Sequence, residues 1–134
     1  MRSTKIVTSF IISNEKFLLL KRSEKVKSMK GIWAGISGII EKNEEPLQRA
    51  KIEIFEELGI KEDQIKLLKT AERMRVVSPQ YKNHEWEIFP FLFEANNPEI
   101  ELNWENSEYK WISADELNNY KTVPNLEKVL LSLL

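Results

Sequence analysis

Residues 38–60 read GIIEKNEEPLQRAKIEIFEELGI, and this stretch decides the rest. Pro46 suits the first position of a helix and Gly59 the residue just past its end, which predicts a helix from 46 to about Leu58. Its inward stripe is Leu47, Ala50, Ile54 and Leu58, with Phe55 alongside. Glu53, Glu56 and Glu57 are spaced by three- and four-residue steps, so they share one face beside that stripe. Like charges on one face repel, and a solvated helix usually offsets them with lysines. A divalent cation bound jointly by the three carboxylates is the simplest reason to keep them together.

Outward from this helix the pattern alternates between strands and helices. Residues 5–13 and 16–22 are apolar, β-branched runs separated by Asn14-Glu15, a hairpin with a two-residue turn. Residues 23–31 are polar and basic and form a loop. Residues 32–40, IWAGISGII, supply a strand interrupted by glycines, which points to a bulge or a close backbone approach. Residues 65–77 and 84–94 predict two more strands, and Pro90 places the second at a sheet edge or a bulge. His84 is read as an ordinary strand-end residue. A short strand follows at 108–112. Ser113 caps a brief helix through Leu117, and Pro124 opens a terminal one with Leu126, Val129, Leu130 and Leu133 on one side. The expected fold is one α/β/α sandwich around a mixed sheet, a single domain over residues 1–134.

Composition removes several chemistries. The chain has no cysteine and one histidine, which excludes disulfides, thiolate zinc sites and cysteine nucleophiles, and leaves little room for a Ser-His-acid triad. A net charge of -1 argues against a stable nucleic-acid partner. No apolar run approaches a membrane span, and the N-terminal run lacks the marks of a signal peptide, so a cytoplasmic location without membrane attachment is expected. The acids are almost all glutamate (2 of the 21 are Asp). An isolated Glu therefore carries no weight, and only a spaced cluster does.

The segment resembles the box of the MutT-like Nudix hydrolase family, G-x5-E-x7-R-E-U-x-E-E-x-G-U, with U a bulky aliphatic. Gly38, Glu44, Glu53, Ile54, Glu56, Glu57, Gly59 and Ile60 fall on its fixed positions, and the resemblance runs over nearly the whole chain. One position departs: Ile52 stands where the box has arginine. The resemblance implies metal-dependent hydrolysis of a pyrophosphate bond in a nucleoside diphosphate linked to another moiety, with Mg2+ or Mn2+ as cofactor and a small-molecule nucleotide as substrate. Small size leans towards nucleoside triphosphates over larger sugar nucleotides. The oligomeric state is open between monomer and homodimer, because the aromatic strand at 84–94 offers a surface for a partner subunit.

By position, Glu56 and Glu57 are implied as principal metal ligands, with Glu53 as a further ligand or the base that activates water. The main-chain carbonyl of Ser37, just before Gly38, would join the metal shell. Relatives use one more acid outside the box, for which Glu105 is the first choice and Glu108 the second. Gly38, Glu44 and Gly59 would support the loop and helix. Arg49, four residues before Glu53, is in reach to replace the missing arginine. Arg22 is a candidate for a substrate phosphate and Asn125 for a base edge, against the plainer roles of a strand-end arginine and a helix-start asparagine. Trp86, Phe89 and Trp104 are candidates for base stacking, against a plain core role. Ile52 also motivates an alternative, a catalytically weak or inactive nucleotide-binding domain of the same fold. An isomerase of isopentenyl diphosphate type ranks below both, because that reaction normally needs a cysteine.

Overall fold

In the computed structural model, which describes residues 2–77 and 82–134, eight strands form one mixed sheet. They are β1 (Arg2–Ser13), β2 (Lys16–Arg22), β3 (Trp33–Ala34), β4 (Ile36–Ile39), β5 (Lys66–Thr70), β6 (Met74–Val77), β7 (His84–Glu94) and β8 (Asn106–Ile112). Helix α1 (Pro46–Leu58) covers one face and α2 (Leu126–Ser132) the other. Short 3-10 turns occupy Glu62–Gln64 and Ala114–Asn119, the latter closed by the expected Ser113 cap with Glu116. Among the described residues no helix is long and apolar enough to cross a membrane.

Period-two alternation builds the two cores. Leu18 and Leu20 of β2 point to α1, where they join Val7, Ile11, Ile36, Phe91 and Phe93 against Ala50, Ile54 and Leu58. Phe17 and Leu19 point the other way, joining Phe10, Leu92 and Ile112 under Leu126, Val129, Leu130 and Leu133. Both layers are dry: Ile11, Leu19, Ile54 and Phe93 are fully buried. The β1–β2 turn is the expected two-residue hairpin, pairing Ser13 with Lys16. Asn14 and Glu15 both take positive φ, as a primed turn demands.

The sheet forks at β1. One edge of β1 is paired in parallel with β7 along nearly its whole length. The other edge is shared: β2 pairs it at Ile12 and Ser13, and β4 at Ile6 to Ser9. Beyond the turn β2 leaves β1 and pairs with β8 and β3. The 32–40 run is therefore two strands on two different partners, with the corner at Gly35. There a side chain would press on the Ser9 carbonyl at 2.9 Å. The fork opens a cavity between its prongs.

Three expectations are corrected. The 65–77 strand is two strands, interrupted at 71–73. Pro90 is not at an edge: β7 is central, paired with β1 on one side and with β5 and β6 on the other. The two antiparallel partners resume at Phe91 and Ile88, so the proline, which has no N–H to offer, falls opposite the gap between them. Phe55 does not accompany the buried stripe of α1 but is 53% exposed. Ile54→Ala should accordingly cost about 2–5 kcal/mol, whereas Phe55→Ala should stay within about 0.5 kcal/mol of the parent. Urea unfolding of both variants checks this, and equal losses would contradict the assignment of faces.

Candidate active site

Helix α1 carries Glu53 and Glu57 one turn apart on the side that meets the sheet, and both are buried, at 8% and 3% exposure. The sequence brings them there because Ala50, Ile54 and Leu58 fix the helix rotation and the glutamates flank that stripe. Glu53 lies directly on the main chain of β4. A β-carbon on residue 38 would overlap the Glu53 carboxyl group, so only glycine admits the carboxylate at that point. At the other end of the helix, Gly59 takes φ 73° and its N–H bonds the Phe55 carbonyl.

Partners of the acids are few. Asn106 Nδ2 donates to Glu57 Oε1 at 3.1 Å, while Glu57 Oε2 is buried without a hydrogen bond among the described residues. Arg49 donates from Nη1 to Glu53 Oε2 at 2.9 Å. It also forks onto Glu44, from Nε to Oε1 at 2.9 Å and from Nη2 to Oε2 at 2.6 Å. Glu44 in turn accepts the Glu41 N–H at 2.7 Å. One guanidinium thus ties the box loop to the acid helix, the geometry a planar fork favours.

The charge states follow from this arrangement. The bond from Arg49 holds the Glu44 carboxyl below its usual range, and Glu44 is the main reason that Arg49 is held more firmly protonated. Burial pushes Glu53 up, and the bond from Arg49 only partly opposes it while Glu56 adds to it. Glu57 is pushed well up, first by burial and then by the charge of Glu105; Asn106 opposes this and Glu53 reinforces it. A buried carboxylate with anionic neighbours and an unpartnered oxygen is short of positive charge.

The other candidates divide. Glu105 stands close enough to act on Glu57, whereas Glu108 points to Lys21 on β2, 3.9 Å away. Glu56 is on the exposed side of α1. Ser37 and Gly38 line the fork cavity, whose volume is about 330 Å³, together with Arg22, Trp86 and Asn125. Asn125 is the first residue before α2 but makes no side-chain capping bond there. Arg22 donates to the carbonyls of Ser28 and Met29 and lines the cavity. Trp104 is 59% exposed and Phe89 packs against the α1 core, so neither lines the cavity. His84 is buried and shares a hydrogen bond with Thr4. Sequence reasoning missed Asn106, because an asparagine that steadies a buried acid has no local pattern to announce it.

The donor set is oxygen only and anionic, the chemistry that Mg2+ and Mn2+ select. Glu57 Oε2, without a hydrogen bond among the described residues, is an open acceptor of the kind such a cation takes. Among the described residues, no three acid or imidazole side chains yet converge in a finished cage. Of the acids, Glu53 and Glu57 adjoin each other on one turn, the charge of Glu105 acts on Glu57, and that of Glu56 acts on Glu53.

A family model described as NUDIX domain matches residues 3–133. No curated protein sequence matches the chain. Among solved structures, the chain is similar to a C. elegans Ap4A hydrolase in a binary complex, at TM-score 0.78 and 20% identity, covering 96% of this chain and 93% of that one. It is similar to a MutT protein from Methanosarcina mazei Go1 at TM-score 0.73 and 22% identity, covering 93% and 87%. A UDP-X diphosphatase aligns at TM-score 0.76 and 18% identity, covering 98% of this chain and 61% of that one.

Two outcomes test the electrostatics. A carboxyl whose folded pKa lies above its unfolded value of about 4.3 supports the fold while protonated, and that support is lost as pH rises through the raised value. Metal-free Glu57→Gln should therefore gain on the parent between pH 5 and pH 8, at roughly 4 °C in Tm per kcal/mol. Melts in EDTA showing a constant offset would contradict the burial account. Arg49→Ala leaves Glu53 unpaired and should lose about 1–2 kcal/mol in urea unfolding. Arg49→Lys should recover less than half of that, since one ammonium cannot fork between two carboxylates.

Proposed function

The chain belongs to the NUDIX domain family, and from that premise we propose that it hydrolyses a pyrophosphate bond in a nucleoside diphosphate linked to another moiety. The observation that carries this reading is the buried Glu57 carboxyl, with an oxygen that has no hydrogen bond among the described residues and acidic neighbours at Glu53 and Glu105. Burial and acidic neighbours push this carboxyl towards its protonated form, so it lacks the positive charge that a bound cation would supply.

A bound Mg2+ or Mn2+ would neutralise the pyrophosphate oxygens and draw the attacking water into line. Glu56 and Glu57 would be its principal ligands in this reading, Glu56 from the exposed side of the helix, and Glu105 and the Ser37 main-chain carbonyl would join them. Glu53 is either a further ligand or the group that takes the proton from water. Burial raises its proton affinity towards the range a general base needs. Arg49 holds one oxygen of Glu53 and leaves the other for that role. Gly38 borders the cavity and seats the Glu53 carboxyl behind it, so a nucleotide in the fork would bring its phosphates towards that acid. Trp86 offers a ring at the cavity for a base to lie against, and Asn125 a polar group for its edge.

Ile52 motivates the alternative of an inactive nucleotide-binding domain, but the Arg49 fork supplies the charge that Ile52 lacks. The substrate class is a nucleotide with at least two linked phosphates. The likeness to proteins called Ap4A hydrolase and UDP-X diphosphatase accords with that class. Incubation with Mg2+ or Mn2+ and a panel of nucleoside triphosphates, ADP-ribose, dinucleoside polyphosphates and NADH should release phosphate-bearing products from at least one. Glu57→Gln should lower that rate by about a thousandfold or more, at ~1.4 kcal/mol of barrier per decade. Absence of metal-stimulated cleavage across the panel would overturn the assignment.

A further inference from the structure

Ser28 and Met29, the part of the 23–31 loop that lines the cavity, are held from an unexpected place. Arg22 ends β2 at a register shift between Lys21 and Arg22, and its side chain turns back onto the loop that follows. Nη2 donates to the Ser28 carbonyl at 2.9 Å; Nε is shared between the carbonyls of Ser28 at 3.2 Å and Met29 at 3.1 Å. The main chain closes the same loop, with the Arg22 N–H on the Ile32 carbonyl and the Gly31 N–H on the Arg22 carbonyl. Within it Met29 takes φ 54°, a left-handed conformation that costs a non-glycine residue about 1 kcal/mol or more and persists only when held. Arg22, Ser28 and Met29 all line the fork cavity.

The rest of the loop explains why a clamp is needed. Glu24, Lys25, Lys27 and Lys30 are exposed, and Val26 is its buried apolar anchor. Main-chain bonds close the base of the loop and Val26 anchors its middle, while the guanidinium is the side chain that holds the Ser28 and Met29 carbonyls. Met29 is a fitting residue for such a wall, since a flexible, polarisable thioether shapes itself to a flat ring. At the root of the loop, Ser23 Oγ donates to the Trp104 carbonyl at 2.7 Å and the Ser23 N–H to the Glu105 carbonyl at 2.8 Å. The loop and the acid at 105 therefore start from one fixed point.

We infer that Arg22 is the latch of a base clamp: it holds residues 28–29 so that Met29 forms a wall of the nucleotide cavity. Nucleotide affinity is then set through loop position, not through contact between Arg22 and a phosphate. Arg22 is a positioning residue here, and Met29 is the residue that touches the base. The inference rests on the nucleotide hydrolase reading above.

The test compares parent, Arg22→Ala, Arg22→Lys, Met29→Ala and the double alanine variant. For each, kcat and KM are measured on the best substrate of the panel, and Kd by calorimetry for a non-hydrolysable analogue of it. Arg22→Ala and Met29→Ala should each raise KM and Kd about tenfold with kcat within about threefold, because the cost is loop ordering before binding. The double variant should be no worse than either single one, since both remove the same wall. Arg22→Lys should fail to restore affinity, because a point ammonium does not span two carbonyls. Met29→Ala sits in a partly exposed loop and keeps the test valid if Arg22→Ala folds poorly. A fall in kcat at unchanged KM in Arg22→Ala, unchanged KM in Met29→Ala, or additive losses would overturn the clamp. A parent that neither binds nor cleaves nucleotides would instead overturn the hydrolase reading, which separates the two failures.

Discussion

The constraint on which this structure depends is the burial of two carboxylates, Glu53 and Glu57, one helical turn apart and against a sheet. Taking like charges out of water is unfavourable unless cations or hydrogen bonds offset them. The fold supplies only part of that offset. Arg49 serves Glu53 and Asn106 serves one oxygen of Glu57, leaving the other oxygen without a hydrogen bond among the described residues. That open oxygen is the reason for the proposal that a cation completes the site.

Architecture and site are linked through the fork in the sheet. Because β1 gives one edge to β4 and then to β2, the strands part and leave a cavity whose floor is β1 itself. Gly38 lies on the inner prong of that fork and is also where Glu53 rests. The same residue thus borders the space for a nucleotide and seats an acid. Beyond the outer prong, Arg22 and Ser23 tie the loop wall to the main chain at Glu105. Cavity, loop and acids are joined by short, named contacts rather than by general compactness.

Much of this was legible before any coordinates. The helix from Pro46 to Leu58, its glycine stop, the hairpin at Asn14-Glu15 and the two helical faces follow from periodicity and turn chemistry, which are local. The pairing of Arg49 with Glu53 was legible too, being a four-residue step on one helix. What stayed hidden is non-local. Pro90 sits in a central strand because of a gap in strands about 20 residues earlier, which nothing near it reveals. The split of 32–40 depends on β1 having two partners, and the place of Arg22 on Ser28 and Met29 depends on how a loop returns. Asn106 reaches Glu57 across 49 residues of chain. Phe55 was misplaced for a different reason: an aromatic beside an apolar stripe invites burial, yet the helix has solvent on that side.

The central claim is that Glu57 and its neighbours hold a divalent cation. Titration of Mn2+ followed by electron paramagnetic resonance, which counts free against bound ion, tests it without relying on turnover or on knowing the substrate. The account predicts Mn2+ binding by the parent, loss of at least one bound ion in Glu57→Gln, and binding as in the parent for Glu108→Gln. Equal Mn2+ binding by the parent and Glu57→Gln would contradict it.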